Sequence, residues 1–234
     1  MAIFVAVLAG ILTTVAGMGG GTLLVLFLVL TSHSPVEALA ATSVGLLVGN
    51  THRLWLFREH LNREVAGPFT LGALPAAAVM SLVAVSLPDT VLRLGIAAVA
   101  LVGVASAAFG LRLKRRAGTA ITTGALVGSV SATTGGGGII AGPFFLTSGL
   151  TGPAYIATGA SGAIAVHIGR LAGYGSGGIL DRDVWLWGVA FAVAIPLGNL
   201  VGKWLRERIP KRANRPIELG TAAGLAALAI ASAL

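Results

Sequence analysis

Two glycine-rich stretches decide the fold: Gly17-Met18-Gly19-Gly20-Gly21-Thr22 and Thr133-Thr134-Gly135-Gly136-Gly137-Gly138. Each lies in the middle of an apolar stretch of about thirty residues. Matching residue pairs follow both stretches at offsets of 116 to 119, close to half of the 234 residues. The pairs are Thr31-Ser32 with Thr147-Ser148, Ala41-Thr42 with Ala157-Thr158, Arg53-Leu54 with Arg170-Leu171, and Glu64-Val65 with Asp183-Val184. The pattern predicts a duplicated unit with a helix break in the first membrane segment of each copy.

The composition indicates a membrane protein. Hydrophobic residues make up 56% of the chain and charged residues 10%, against about 25% charged residues in an average soluble domain. The net charge of +8 comes from basic residues beside apolar segments, which is typical of bilayer orientation, so no nucleic-acid partner is expected. The chain has no cysteine, which excludes disulfides, thiolate metal sites and cysteine nucleophiles, and we expect no cofactor and no metal.

Apolar windows of about twenty residues predict four segments in each half. They are Ala2 to Thr31, Val36 to Phe57, Val65 to Leu87, Val91 to Leu113, Thr119 to Ser148, Pro153 to Tyr174, Val184 to Trp204 and Arg215 to Leu234. Thirty helical residues would run about 45 Å, longer than a hydrocarbon core of about 30 Å. Split at the glycines, each long segment suits a re-entrant hairpin whose tip is buried in protein.

The loop charges favour this re-entrant topology. If the two broken segments re-enter, thirteen of the sixteen Lys and Arg residues gather on one side and three on the other. If all eight segments cross, the division is nine against seven. The positive-inside rule prefers the first arrangement, in which both termini lie outside the cytoplasm. We expect the plasma (inner) membrane of a prokaryote.

The predicted fold is therefore an all-α polytopic membrane protein with two inverted repeats. The repeats cover residues 1–117 and 118–234 and form one transmembrane domain. Each begins with a glycine-broken re-entrant segment, which three transmembrane helices follow. Three crossings in each half turn the second half upside down relative to the first, as in many secondary transporters.

The hairpin tips predict anion binding. A helix that restarts after the glycines points free N–H groups and its positive dipole end at the membrane centre. Glycine lets a ligand approach the backbone, and Thr22 is placed to cap the first restarted helix. The predicted substrate-binding residues here are Gly19, Gly20, Gly21, Thr22, Gly136, Gly137 and Gly138. The alternative is that these glycines only allow close helix packing.

Polar residues in the second helix of each half add further candidates. Ser43 and Asn50 are seven residues apart and share a helix face, and Asn50 matches His167 at an offset of 117. An intramembrane histidine predicts anion contact or proton transfer, with a structural hydrogen bond as the alternative. The remaining hydroxyl candidates are Thr42, Thr158 and Ser161, which could equally bond their own helix backbone.

Arg53 and Arg170 form a matched basic pair near the ends of the second helices. Inversion would place them at opposite faces of the membrane, where they could attract anions towards the site. Snorkelling of the long side chains to the interface is the alternative. All eight acidic residues lie in predicted loops or at helix ends, which argues against a cation pump or an acidic proton relay.

Together these features resemble the sulfite exporter TauE/SafE permeases. The resemblance lies in the glycine break of each half, the helix starts Ala41-Thr42-Ser43 and Ala157-Thr158, and Pro75 and Pro196 in the third segments. It spans nearly the whole chain. It implies a carrier of sulfur-containing anions, such as sulfite or organosulfonates, coupled to protons. The implied partners are a small anionic substrate, protons and the lipid bilayer, and the oligomeric state stays open.

The predicted function is secondary transport by alternating access, without enzymatic activity. A passive anion channel is the alternative, because two opposed helix dipoles could also line a pore. An intramembrane serine protease is a remote alternative, because the sequence Gly159-Ala160-Ser161-Gly162 precedes His167. Six residues along one helix would turn these Ser and His side chains about 120° apart, which disfavours a catalytic pair.

Overall fold

A computed structural model of the chain describes residues 1–31, 34–96, 98–99 and 117–210, with 213, 216, 217 and 220 near the C-terminus. The elements are α1 (Ala2–Ala16), α2 (Gly20–Leu30), α3 (Pro35–Phe57), a 3-10 helix (Arg58–His60), α4 (Arg63–Val85), α5 (Ala117–Thr134), α6 (Gly137–Thr147), α7 (Gly152–Ser176) and α8 (Arg182–Arg206). Residues 89–96 are also helical, and the described ranges contain no strand. The predicted all-helical class is confirmed, whereas most of the fourth segment of each half lies outside the described residues.

The first apolar segment breaks at its glycines. α1 ends at Ala16, Gly17 and Gly19 have φ of 80° and 98°, and α2 begins at Gly20. This left-handed region favours glycine because it carries no Cβ. A Cβ on Gly20 would overlap the carbonyl of Ala9 in α1. The start of α2 therefore lies beside the middle of α1.

The second apolar segment breaks at the matching place. α5 ends at Thr134, Gly135 has a φ of 69°, and α6 begins at Gly137. A Cβ on Gly137 would overlap the Ser131 hydroxyl and come within 2.9 Å of the Val127 carbonyl, both in α5. Both breaks thus fall where the glycines predicted them. The re-entrant topology of the two broken segments stays a prediction.

The two halves interlock through their third helices. α4, from the first half, packs along α5 and α7 of the second half. α8, from the second half, packs along α1 and α3 of the first. Between them, α3 and α7 pack against each other. Each half therefore packs its third helix against helices of the other half, and the two larger hydrophobic clusters both contain residues of both halves.

Glycines bring these helices close together. A Cβ on Gly72 would overlap the Ile121 carbonyl where α4 meets α5, and one on Gly198 would overlap the Val7 carbonyl where α8 meets α1. Small residues at such crossings let backbones approach closely within a bilayer. Close packing therefore accounts for many of the 34 glycines of the chain.

The outer surface of α4 and α8 is apolar. Both helices are long and apolar enough to cross a membrane, by length and composition. On α8 the exposed Trp185 and Trp204 are 19 residues apart, or about 28 Å along the axis. This spacing is close to a hydrocarbon core of about 30 Å, and tryptophan is favoured at both membrane interfaces. The helix thus has the dimensions of a membrane span.

Candidate functional site

A cavity of about 100 Å³ lies where the two helix breaks meet. A Cβ built on Gly138 would be 3.9 Å from the backbone nitrogen of Gly19. The Thr22 hydroxyl donates a hydrogen bond to the Gly135 carbonyl at 3.3 Å, which joins the two breaks directly. The cavity is therefore built by both halves of the chain.

Eight of the fifteen predicted site residues line this cavity, and seven do not. The lining residues are Gly19, Gly21, Thr22, Asn50, Arg53, Gly138, His167 and Arg170. The others are Gly20, Thr42, Ser43, Gly136, Gly137, Thr158 and Ser161.

Three of the predicted hydroxyl residues have partners elsewhere. Thr42 and Ser43 donate to the Leu39 carbonyl at 3.0 and 2.6 Å, within their own helix. The Thr158 hydroxyl accepts the backbone N–H of Asn62 at 3.2 Å. The alternative of a bond to the residue's own helix describes Thr42, whereas Thr158 is bonded to a residue of a different segment. Ser161 is half-buried and lies outside the cavity lining.

The glycines at the two helix breaks fall into two groups, those that pack against a neighbouring helix and those that line the cavity. Gly20 and Gly137 press against the preceding helices, whereas Gly19, Gly21 and Gly138 face the cavity. The backbone N–H of Gly136 donates to the Thr134 hydroxyl at 3.2 Å, so that donor is already used.

The predicted capping role of Thr22 is wrong. The N-cap of α2 is Gly19, which has no side chain to cap the helix, and Thr22 is the third helical residue. Because α2 begins at the second of the three consecutive glycines, the Thr22 hydroxyl reaches across to the other break.

Arg53 is buried at the cavity and held in a fixed orientation. Its side chain is 3% exposed, Nη1 donates to the Thr13 carbonyl at 2.8 Å, and Nη2 donates to Asn50 Oδ1 at 2.6 Å. The amide Nδ2 of Asn50 donates to the Leu46 carbonyl at 2.7 Å. Nε of Arg53 has no hydrogen-bond partner among the described residues. Asn50 therefore orients the guanidinium, and the Nε donor stays unpaired among the described residues.

Arg170 is buried in the second half at the corresponding position. It is 2% exposed, donates from Nη2 to the Leu39 carbonyl, and lies 5.7 Å from the ring centroid of Tyr174. Its Nε has no hydrogen-bond partner within the described ranges. Because both arginines are buried, snorkelling to the interface does not describe their side chains.

His167 occupies the position equivalent to Asn50. It lies three residues before Arg170, as Asn50 lies three residues before Arg53. The imidazole is 6% exposed, and its Nδ1 has no partner in the part of the chain that the structure describes. The two halves thus differ at this position. In the first half the Asn50 amide is bonded to Arg53, whereas in the second half the His167 imidazole has an unpaired Nδ1 among the described residues.

The charges in the cavity favour an anion. None of the described residues that line it is acidic, and both guanidiniums stay protonated. A buried cation without an opposite charge costs several kcal/mol. The first backbone N–H groups of α2 and α6 also have no acceptor within their own helices. An anion in this cavity would supply the missing charge and the missing acceptors.

The protease alternative finds no support in the helix geometry. Ser161 and His167 belong to the continuous helix α7 and lie about 9 Å apart along its axis. A serine nucleophile must be within hydrogen-bond distance of its histidine.

Fold and cavity together define the class: a helical membrane protein with a buried cationic cavity. The chain matches the family model described as Sulfite exporter TauE/SafE over residues 2–231, and it belongs to this family of membrane transporters of sulfur-containing anions. This confirms the resemblance found in the sequence. No curated protein and no solved structure matches the chain.

Sequence reasoning missed several cavity residues. Phe69, Phe145, Tyr155 and Met18 all line the cavity, but as apolar or aromatic residues in apolar segments they carry no distinctive pattern. The two tyrosines of the chain were a usable signal, because a residue type this rare in an apolar sequence is easy to single out. Both are buried, Tyr155 in the cavity lining and Tyr174 against Arg170.

Proposed function

We propose that this protein is a secondary transporter that carries small sulfur-containing anions, sulfite or an organosulfonate, by alternating access. The anion would bind near the membrane midplane in the cavity between the breaks. Arg53, Arg170 and His167 would contact it, together with backbone N–H groups around Gly19 and Gly138. The single observation that carries this proposal is a pair of buried arginines, each with an unpaired Nε, in a cavity whose described lining holds no carboxylate.

The proposed topology is the inverted repeat with two re-entrant hairpins and both termini outside the cytoplasm. The positive-inside rule counts Lys and Arg residues in the loops. Three of the arginines counted from the sequence, Arg53, Arg170 and Arg206, are buried in the protein and are therefore removed from this count. Thirteen minus Arg53 and Arg206 is eleven, and three minus Arg170 is two. The remaining bias of eleven against two still supports this orientation.

His167 is the proposed site of proton coupling. Histidine can carry a proton on its imidazole ring, and this one lies in the cavity with an unpaired Nδ1 among the described residues. The described cavity lining offers no carboxylate for the task. Protonation of His167 would add a positive charge at the anion site, so proton and anion binding would favour each other.

The proposed substrate class is tested by the thermal stability of purified protein with a panel of ligands. Sulfite, sulfate, thiosulfate, methanesulfonate and acetate are compared with choline as a cationic control. A ligand that binds only the folded state raises stability by about 2.7 kcal/mol at a hundred times its dissociation constant. We expect stabilisation by sulfite or methanesulfonate and none by choline. Equal effects of all anions and choline would contradict a specific anion site.

His167→Gln tests coupling in proteoliposomes. Glutamine keeps a hydrogen-bonding side chain but cannot take up a proton, so we expect uptake driven by a pH gradient to fall at least tenfold. Exchange of labelled for unlabelled anion, which needs no net proton movement, should continue. Gradient-driven uptake that stays at the wild-type rate would exclude His167 as the proton carrier. Flux that does not saturate and ignores the gradient would favour the channel alternative.

A further inference from the structure

One face of α7 lines the cavity between Gly159 and Arg170, at spacings of three and four residues. The residues on this face are Gly159, Gly162, Ala163, Val166, His167 and Arg170. Gly159 and Arg170 are eleven residues apart, or on the order of 16 Å along the helix. The face is formed by bare glycine backbone at the first end and by the His167 and Arg170 side chains at the other. The cavity therefore has chemically different ends along this helix.

Two phenylalanines cover the glycine end of this face. Phe69 of α4 and Phe145 of α6 have ring centroids 5.0 Å apart, and both line the cavity. A Cβ on Gly162 would lie 2.7 Å from Phe69 Cε1, and one on Gly159 would lie 3.7 Å from Phe145 Cε2. The rings thus pack directly on the two glycines and form an apolar wall, which we call the Phe69–Phe145 wall.

We propose that the Phe69–Phe145 wall is a subsite that receives the apolar substituent of the transported anion and, with Gly159, sets the length it accepts. This inference rests on the proposed anion site at Arg170 and His167. An oxyanion without a substituent has only polar oxygens to place against the rings, which offer no conventional donors, and such desolvation is unfavourable. An alkyl substituent gains by leaving water there. The substrate favoured by this cavity is therefore an anion with a short alkyl group.

The chain-length dependence of binding tests the subsite. Dissociation constants are measured for sulfite and for methane-, ethane-, propane- and butanesulfonate. In the wild type we expect affinity to rise about fourfold for each methylene buried against the rings, until the cavity is full. Sulfite should bind more weakly than the best alkanesulfonate.

Gly159→Ala and Phe145→Ala should shift the alkyl chain length that binds most tightly, and in opposite directions. The added methyl group of Gly159→Ala lies at ordinary contact distance from Phe145 and from the Gly17 carbonyl, so the fold should tolerate it. We expect the preferred alkyl chain to shorten by about one carbon, with the longer alkanesulfonates weakened more than sulfite. Phe145→Ala should lengthen the preferred chain. Gly67→Ala, whose Cβ would meet nothing within 4 Å, is the matched control and should leave the series unchanged.

The possible results separate the two proposals. If sulfite binds more tightly than every alkanesulfonate, or if Gly159→Ala weakens all ligands equally, the subsite is overturned while the anion site stands. If no anion binds the wild type, the proposed function itself fails. If Phe145→Ala does not fold, the shift caused by Gly159→Ala still decides the question.

Discussion

Asn50→Asp should abolish anion binding while the protein remains folded. Aspartate has nearly the same shape as asparagine, and the oxygen it retains would lie 2.6 Å from Nη2 of Arg53. A carboxylate there forms a charge-assisted bond with the guanidinium and occupies the cavity with a fixed negative charge. Substrate anions then meet repulsion where they previously met an unpaired cation. We expect the dissociation constant to rise at least about a hundredfold, or about 2.7 kcal/mol.

Asn199→Asp is the matched control for this experiment. Asn199 is as buried as Asn50, and its Nδ2 donates to the Gly49 carbonyl as Asn50 Nδ2 donates to that of Leu46. Each aspartate variant therefore loses one comparable backbone bond. Asn199 does not line the cavity, so Asn199→Asp should lower thermal stability but leave anion affinity within a few fold. Wild-type affinity in Asn50→Asp would show that the anion does not approach Arg53.

Arg170→Gln should produce a loss of similar size from the other half of the cavity. Glutamine can still donate to a carbonyl such as that of Leu39, but it removes the positive charge and the unpaired Nε. Hydrogen bonds to a charged group contribute about 1.5 to 3 kcal/mol, so we expect affinity to fall between about tenfold and about 150-fold. Titration calorimetry and uptake into proteoliposomes measure this loss directly.

Arg206→Gln controls for the removal of a buried arginine. Arg206 is also buried and donates to a backbone carbonyl, that of Val15 at 2.7 Å, but it lies outside the cavity lining. This variant should bind anions with nearly wild-type affinity, even if its melting temperature falls. Equal loss of binding in Arg170→Gln and Arg206→Gln would point to a general structural defect and would contradict a direct role for Arg170.

The sequence predicted the helix breaks well because their cause is local. Glycine is the residue that tolerates the left-handed conformations found at Gly17, Gly19 and Gly135, and an apolar stretch too long for one span signals a break. The internal repeat also predicted that Arg53 and Arg170 occupy equivalent positions in the two halves. Residues that repeat at a constant offset occupy equivalent places, and both arginines line the same cavity.

The direction of each glycine could not be read from the sequence. Gly21 faces the cavity and Gly20 presses on Ala9, because one residue along a helix turns the chain by about 100°. The starting residue of the helix sets that rotation, and consecutive glycines leave the start ambiguous. The hydroxyls of Thr42 and Ser43 were ambiguous for another reason, since a helix always offers a carbonyl four residues earlier.

The aromatic side of the cavity depends on contacts between distant segments. Phe69 and Phe145 are 76 residues apart, and they meet only because α4 of the first half crosses into the second half. No periodicity within either segment records that contact. The role of Asn50 was hidden in the same way, because its spacing suggested a ligand contact, whereas its oxygen is bonded to Arg53.

The exchange of third helices constrains how this protein is made. When the ribosome has finished α4, the helices against which α4 packs have not yet been synthesised. During that interval the surface of α4 that will contact α5 and α7 must be covered by lipid or by the insertion machinery. α4 can therefore complete its packing only after α5 and α7 have been synthesised.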